Sequence, residues 1–405
     1  MKKDRADIEA ERLLSIEIKH ARRQRLTDTI LISVLSVIIL VFGVLIFVGE
    51  PDGFSDDENR VLQGYPSFSL KSFIDGNYTE ELGKFYSDQF PFRDKFVGFK
   101  GLAELGMLKM ENNDVILGED DYLIKRIEYT QDAYDLAKSN LDAVAQFKKA
   151  MQALGIQCDF AVAPRAVDVI DFKISDYYST ERADAIWNIV SQSGTDPILF
   201  EQELRSAAMS DEYVWFKTDH HWTVKGAYIA YLKLANNLGY SPAPTDKFQL
   251  VQVSHSFRGT TYSAGGIKWT SPDTIELMRY TGDAKYTVTD MISNKKLLDG
   301  FYDTSYLDQK DKYSVFLGGN NAHTSISNGD ESKPRLLIIK DSFAHSVIPF
   351  LAEHFYIEVI DLRSFKTQSV YKYISENDFD KVLVFYGIDS IATNDSLRYL
   401  KYGLK

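Results

Sequence analysis

The chain has 405 residues, 44% hydrophobic and 26% charged, which suits a globular protein with a sizeable core and excludes a disordered one. A formal net charge of −12 argues against nucleic acid as a partner. A single cysteine, Cys158, leaves no internal disulfide and no zinc site built on cysteine pairs.

Residues 30–48 are an uncharged run interrupted only by two serines and one glycine. As a helix it spans about 28 Å, close to the hydrocarbon core of a bilayer. A cleaved signal peptide is the competing reading. The long preceding segment and the poor cleavage site Val48-Gly49-Glu50-Pro51 argue against it. Lys2, Lys3, Arg5, Arg12, Lys19, Arg22, Arg23 and Arg25 precede the run, whereas Glu50, Asp52, Asp56, Asp57 and Glu58 follow it. The positive side stays inside, so residues 1–29 are expected as a cytoplasmic tail and the remainder as extracellular. Within the tail, residues 8–25 fit an amphipathic helix on the inner leaflet or a plain solvated helix.

Residues 49–112 read as a linker and helical lead-in, with helices over 80–89 and 92–110 broken at Phe90-Pro91-Phe92. A short strand is expected at 113–118 and a long helix at 128–154. From there strands at 156–163, 197–200 and 213–217 alternate with helices at 183–191 and 224–238. Cys158 lies in the first of these strands and reads as packing. Residues 245–330 are rich in Gly, Ser, Thr, Asp and Tyr and read as an inserted β- or loop-rich lid. Strands at 335–340, 356–362 and 381–386 then alternate with helices at 342–354, 368–376 and 396–402. This rhythm predicts an α/β fold, a mostly parallel sheet flanked by helices, with its site at the carboxyl ends of the strands.

Two strand ends carry residues suited to chemistry. In Ile338-Ile339-Lys340-Asp341-Ser342-Phe343, Ser342 falls between a strand and a predicted helix, where a nucleophile and an oxyanion-binding N–H fit. The plainer reading is that Asp341 or Ser342 only caps the helix. In Lys217-Thr218-Asp219-His220-His221-Trp222, Asp219 and His221 stand two apart in one loop. A serine needs a base such as His221, and the imidazole needs a carboxylate such as Asp219 to fix its tautomer. The plainer reading is that Asp219 caps the following helix and both histidines pack against Trp222. Asp219, His220 and His221 with a distant ligand could also hold zinc or manganese. Adjacent histidines rarely share one metal, however, and no metal or cofactor is expected.

The chain resembles the bacterial DHHW protein family in Asp219-His220-His221-Trp222, Ser55-Asp56-Asp57-Glu58-Asn59-Arg60 and Asp88-Gln89-Phe90-Pro91-Phe92-Arg93-Asp94. The resemblance extends to Asp114-Val115-Ile116-Leu117-Gly118, Asp311-Lys312-Tyr313-Ser314-Val315-Phe316-Leu317-Gly318-Gly319-Asn320, Lys340-Asp341-Ser342-Phe343 and Asp361-Leu362-Arg363. That family is similar to the acetyltransferase proteins of alginate biosynthesis with an SGNH-hydrolase-like domain. The resemblance implies a permuted SGNH-like fold at residues 113–405, with Ser342 as nucleophile, His221 as base and Asp219 as its orienting carboxylate. It also implies Arg363 and Tyr386 as substrate or oxyanion contacts. SGNH hydrolases offer Gly-x-Asn-Asp after the last strand, where Asn is a donor; here the string is Tyr386-Gly387-Ile388-Asp389, and an ionised Asp389 only accepts. Backbone groups, Tyr386, Arg363 or Asn320 must then serve.

The function expected is a membrane-anchored extracellular O-acetyltransferase acting on cell-surface or exported polysaccharide. Its partners would be the polysaccharide, the bilayer, and a multi-spanning acyltransferase supplying acetyl. A carbohydrate esterase with the same triad, or a non-catalytic binding or assembly subunit, is the alternative. Tyr262, Trp269 and Tyr280 are candidates for holding sugar or for local packing.

Overall fold

The computed structural model describes residues 5–48, 51, 53–55, 60–107, 109–175, 184–280 and 286–404. Lys2 and Lys3 of the basic tail, Glu50, Asp52, Asp56, Asp57 and Glu58 of the acidic flank, and Asn59 lie outside the described residues. The chain divides into two compact units, Met1–Val97 and Gly98–Lys405.

In the first unit the tail and the apolar run form one helix, Arg5–Val48. Within it Arg12–Ile46 is long and apolar enough to cross a membrane, with a mean hydropathy of 3.0 in an 18-residue window of which nothing is buried. Two short helices follow, Leu70–Ile74 and Asn77–Asp88. Ser69 and Ser72 close a reciprocal cap on the first.

In the second unit, the single strand expected at 113–118 is a hairpin of Glu111–Asn112 with Val115–Leu117. Asn113 and Asp114 both take positive φ, at 49° and 60°, so their turn chemistry folds the chain back where a continuous strand was expected. The main sheet has eight strands: β1 Gln157–Ala163, β2 Ile198–Leu199, β3 Thr287–Asp290, β4 Lys295–Asp299, β5 His323–Ser327, β6 Arg335–Lys340, β7 Tyr356–Ile360 and β8 Lys381–Gly387. Their spatial order is β4-β3-β5-β7-β6-β8-β1-β2. Strands β7, β6, β8, β1 and β2 run parallel. Both faces are buried, as their apolar runs require. Leu336, Ile338, Leu383 and Phe385 pack on one face with helix Val224–Leu238; Leu337, Ile339, Val382 and Val384 pack on the other with helix Gln131–Ala153.

The 245–330 region departs from a separate lid. Its strands β3, β4 and β5 extend the main sheet antiparallel, with β5 paired to β7. They cover what would otherwise be the open edge of β7. Among the described residues of this region, only Phe248–Phe257 and Asp273–Tyr280 form a hairpin of their own. The strand expected at 213–217 shrinks to one bridge, Trp215 with Trp222, because Phe216 N–H donates to the His221 carbonyl and turns the chain back. The helix expected at 342–354 is a 3-10 turn, Ser342–Ser346, followed by a short helix, Ile348–Leu351. Pro349 has no N–H to continue the earlier turn. Cys158 is buried in β1, and burial pushes its thiol up to about 12, as inert packing requires.

Candidate active site

The loop carrying Asp219 and His221 is pinned from beneath by Asp273. This buried carboxylate accepts from the backbone N–H of Lys217 and Thr218, both at 2.8 Å, from the Thr218 hydroxyl at 2.5 Å, and from the Tyr213 hydroxyl. Beyond the loop, Thr223 caps helix Val224–Leu238 by accepting from Gly226 N–H, so capping falls to Thr223 rather than Asp219. Asp219 is left to accept from His221 Nδ1 at 2.6 Å and His221 backbone N–H at 3.0 Å through Oδ1. Its Oδ2 accepts from Thr260 N–H at 2.8 Å and the Thr260 hydroxyl at 3.0 Å. Burial opposes the charge on Asp219, but the two imidazoles, the His221 hydrogen bond and the Thr260 N–H outweigh it and hold the carboxyl well below its ordinary value. The approach is close: a Cβ at Gly259 would lie 2.2 Å from Asp219 Oδ2.

Ser342 reaches the same imidazole from β6. Its Oγ lies 2.7 Å from His221 Nε2, although 121 residues separate them. Asp341 does the capping here: Oδ1 accepts from Phe343 N–H at 3.0 Å, and Oδ2 accepts from Gly387 N–H at 2.7 Å, which ties the end of β6 to the end of β8. The serine hydroxyl is therefore free of the cap. His221 is itself sandwiched, stacked on Tyr313 at 3.8 Å between centroids and in contact with Phe343 at 5.0 Å. Trp222 anchors the loop by donating Nε1–H to Ser346 Oγ at 3.0 Å.

A second polar group lies on the β7 side. Lys340 is 1% exposed, and its Nζ lies 2.6 Å from His345 Nε2, 3.1 Å from Asn320 Oδ1 and 3.5 Å from Asp361 Oδ2. Burial lowers its ammonium to about 8 against the pull of Asp361. Burial and that same ammonium hold His345 well below its ordinary value. Arg363 grips Asp361 from Nε and Nη2, and Nη2 also donates to Asn320 Oδ1 at 2.9 Å. The structure thus brings Asn320 and Arg363 together at this rim. Tyr386 is 1% exposed and shares the face of β8 that carries Val382 and Val384.

On the other side, Asp389 accepts from the Tyr129 hydroxyl at 2.5 Å and lies 3.9 Å from Arg165 Nε, itself held by both oxygens of Asp168. Arg165 and Lys340 were not singled out from the sequence; the one available sign was a charge at the end of an apolar strand. Of the aromatics in the 245–330 region, Tyr262 is buried and Tyr280 donates to the Pro349 carbonyl, whereas Trp269 is 36% exposed. Asp219, His220 and His221 offer ligand atoms within 4.8 Å of one another, the spacing a metal needs. Those atoms are already engaged: His221 by Asp219 and Ser342, and His220 Nδ1 by Thr260 Oγ1 at 2.6 Å.

The family model described as DHHW protein matches residues 130–360, more than half of the chain and both loops that meet at His221. The chain belongs to the DHHW family. This DHHW protein has the fold of a DHHW family protein from Eubacterium siraeum, with a TM-score of 0.59, 22% identity, and coverage of 71% of this chain and 95% of that one. It likewise shares the fold of Bacillus cereus PatB1, with a TM-score of 0.57, 19% identity, and coverage of 71% and 99%. In sequence it is similar to the probable alginate O-acetylase AlgJ of Pseudomonas putida, 23% identical over 200 residues, 47% of this chain and 51% of that protein. The chain spans about half the length of the curated relatives it matches.

Proposed function

We propose that this DHHW protein is a membrane-anchored extracellular O-acetyltransferase of cell-surface or exported polysaccharide, built on an SGNH-like domain in permuted order. The observation that carries this reading is the unbroken chain Asp219–His221–Ser342, at 2.6 and 2.7 Å. Ser342 Oγ attacks the acetyl carbonyl while His221 Nε2 takes its proton, and Asp219 holds the ring in the tautomer that can accept it. The proton then passes to the leaving group, and an acetyl-serine remains. A sugar hydroxyl, deprotonated by His221, takes the acetyl group and frees the serine. Arg363, partly exposed beside Asn320, is suited to contact the sugar.

The similarity to proteins named alginate O-acetylase supports acetyl transfer to a polysaccharide. The long apolar helix, preceded by basic residues, supports an anchor with its N-terminus in the cytoplasm. A donor arriving through a multi-spanning membrane acyltransferase fits a serine site held at the outer surface.

The test is to supply para-nitrophenyl acetate with an oligosaccharide acceptor. O-acetylated sugar should form with the wild type and not with His221→Ala. Free acetate alone, with acceptor in excess, would indicate an esterase using the same residues. Neither product would indicate a binding or assembly subunit. Activity lost to a chelator and restored by zinc would revive the metal reading.

A further inference from the structure

Two cations converge on one amide oxygen at the rim of the site. Asn320 Oδ1 accepts from Lys340 Nζ at 3.1 Å and from Arg363 Nη2 at 2.9 Å. A carbonyl oxygen serves both donors and an NH2 group serves neither, so the amide cannot turn over without setting its own hydrogens against two positive groups. Its Nδ2 is thereby directed away from them, and it has no acceptor among the described residues. The segment leading to Asn320 starts at Tyr313, which stacks on His221 and whose hydroxyl lies 3.5 Å from the Ser342 carbonyl. It then bends through Leu317, Gly318 and Gly319 at φ of 60°, 68° and 82°, which brings the exposed Asn320 back to the end of β6.

Lys340 is the costly member. It directly precedes Asp341-Ser342 and continues the apolar run Leu336-Leu337-Ile338-Ile339, where a buried ammonium carries a desolvation penalty that Leu or Met would not. The Asp219–His221–Ser342 chain makes no use of it. Its contacts run to Asn320, to His345 in the serine's own turn, and to Asp361.

We propose that Asn320 Nδ2 donates to the developing oxyanion in place of the donor that Asp389 cannot supply, and that Lys340 is the positioning residue that fixes this amide. The role rests on Ser342 being the residue acetylated. As Ser342 Oγ bonds to the carbonyl carbon, the carbonyl π pair moves onto oxygen and His221 Nε2 takes the hydroxyl proton. Asn320 N–H donates to that oxygen until the C=O re-forms and the leaving alcohol departs with the proton from His221. Donors aimed where charge develops act on kcat more than on KM.

The experiment measures acetylation of Ser342 by para-nitrophenyl acetate in the full-length protein, for the wild type, Asn320→Ala, Asn320→Asp, Lys340→Met and the double variant Asn320→Ala/Lys340→Met. Both Asn320 variants should acetylate about 10²- to 10³-fold more slowly with KM nearly unchanged. Lys340→Met should slow the step by at least about tenfold, and the double variant should match Asn320→Ala within about twofold, because the lysine acts through the amide. Should Lys340→Met not fold, the Asn320 variants, altered at an exposed position, carry the test with Lys340→Arg as the retained cation. Acetylation at the wild-type rate in Asn320→Ala overturns the role while leaving the function intact. Multiplying losses in the double variant overturn the part given to Lys340. A wild-type Ser342 that takes no acetyl overturns the functional reading and this role together.

Discussion

His221 lies flat against Tyr313, with ring centroids 3.8 Å apart and planes 6° from parallel. Tyr313 is 5% exposed, and its hydroxyl lies 3.3 Å from Ser346 Oγ, so the ring holding the imidazole is itself held from the serine's turn. Tyr313→Phe keeps the stacking face and should keep most of the activity. Tyr313→Ala should lower kcat for acetyl-ester turnover by about 10²-fold, the scale of an ångström-sized misplacement. It should also lower stability by about 3 kcal/mol, as loss of a buried aromatic does. Kinetics and thermal unfolding of the two variants check both expectations.

Asp219 sets the pH behaviour. Its carboxyl is held well below its ordinary value, so it remains charged below about pH 4. Asp219 should therefore add no inflection to the acid limb of kcat/KM above about pH 4. An inflection there that Asp219→Asn removes would contradict this. Because the folded-state pKa is depressed, the stability that Asp219 contributes is present above its unfolded value of about 3.9 and is lost as pH falls toward the folded value. The stability difference between wild type and Asp219→Asn should accordingly shrink below about pH 4. At neutral pH, Asp219→Asn should cost about 10⁴-fold in kcat through the wrong imidazole tautomer.

Gly259 is required by proximity and not by backbone strain, since its φ of −86° suits any residue. An added Cβ would meet Asp219 Oδ2 at 2.2 Å and Asp219 Cβ at 2.3 Å. Gly259→Ala should therefore push Asp219 off His221. The expected result is a stability loss of about 1–3 kcal/mol, the range for overpacking, with a loss of activity close to that of Asp219→Asn. Unimpaired kinetics in Gly259→Ala would contradict the placement of this carboxylate.

The proposed anchor predicts a fractionation result. The full chain should sediment with membranes and resist alkaline carbonate, and protease added outside intact cells should digest the large domain while sparing the basic tail. Recovery in the soluble fraction, or protection of the large domain, would contradict the proposed topology.

The residues proposed as a triad can be picked out of the sequence because each stands at the end of an apolar run, and Asp219 and His221 need only a two-residue reach. Ser342 and His221 are 121 residues apart, a distance no local pattern encodes, so only the chemical need of a serine for a base, and the resemblance to a family, pair them in the sequence. Local pattern misled where tertiary context governs. The 245–330 region looked separate, yet β5 pairs with β7 and extends the sheet. Lys340 offered no periodic signal, because a buried charge is defined by the partners it meets in space.

The most direct test is the intact mass of the protein after exposure to an acetyl ester, followed by mapping of the modified peptide. The account predicts a gain of one acetyl group on Ser342 in the wild type, no gain in Ser342→Ala, and slow or absent gain in His221→Ala. An unmodified wild type, or an equal gain in Ser342→Ala, would contradict it.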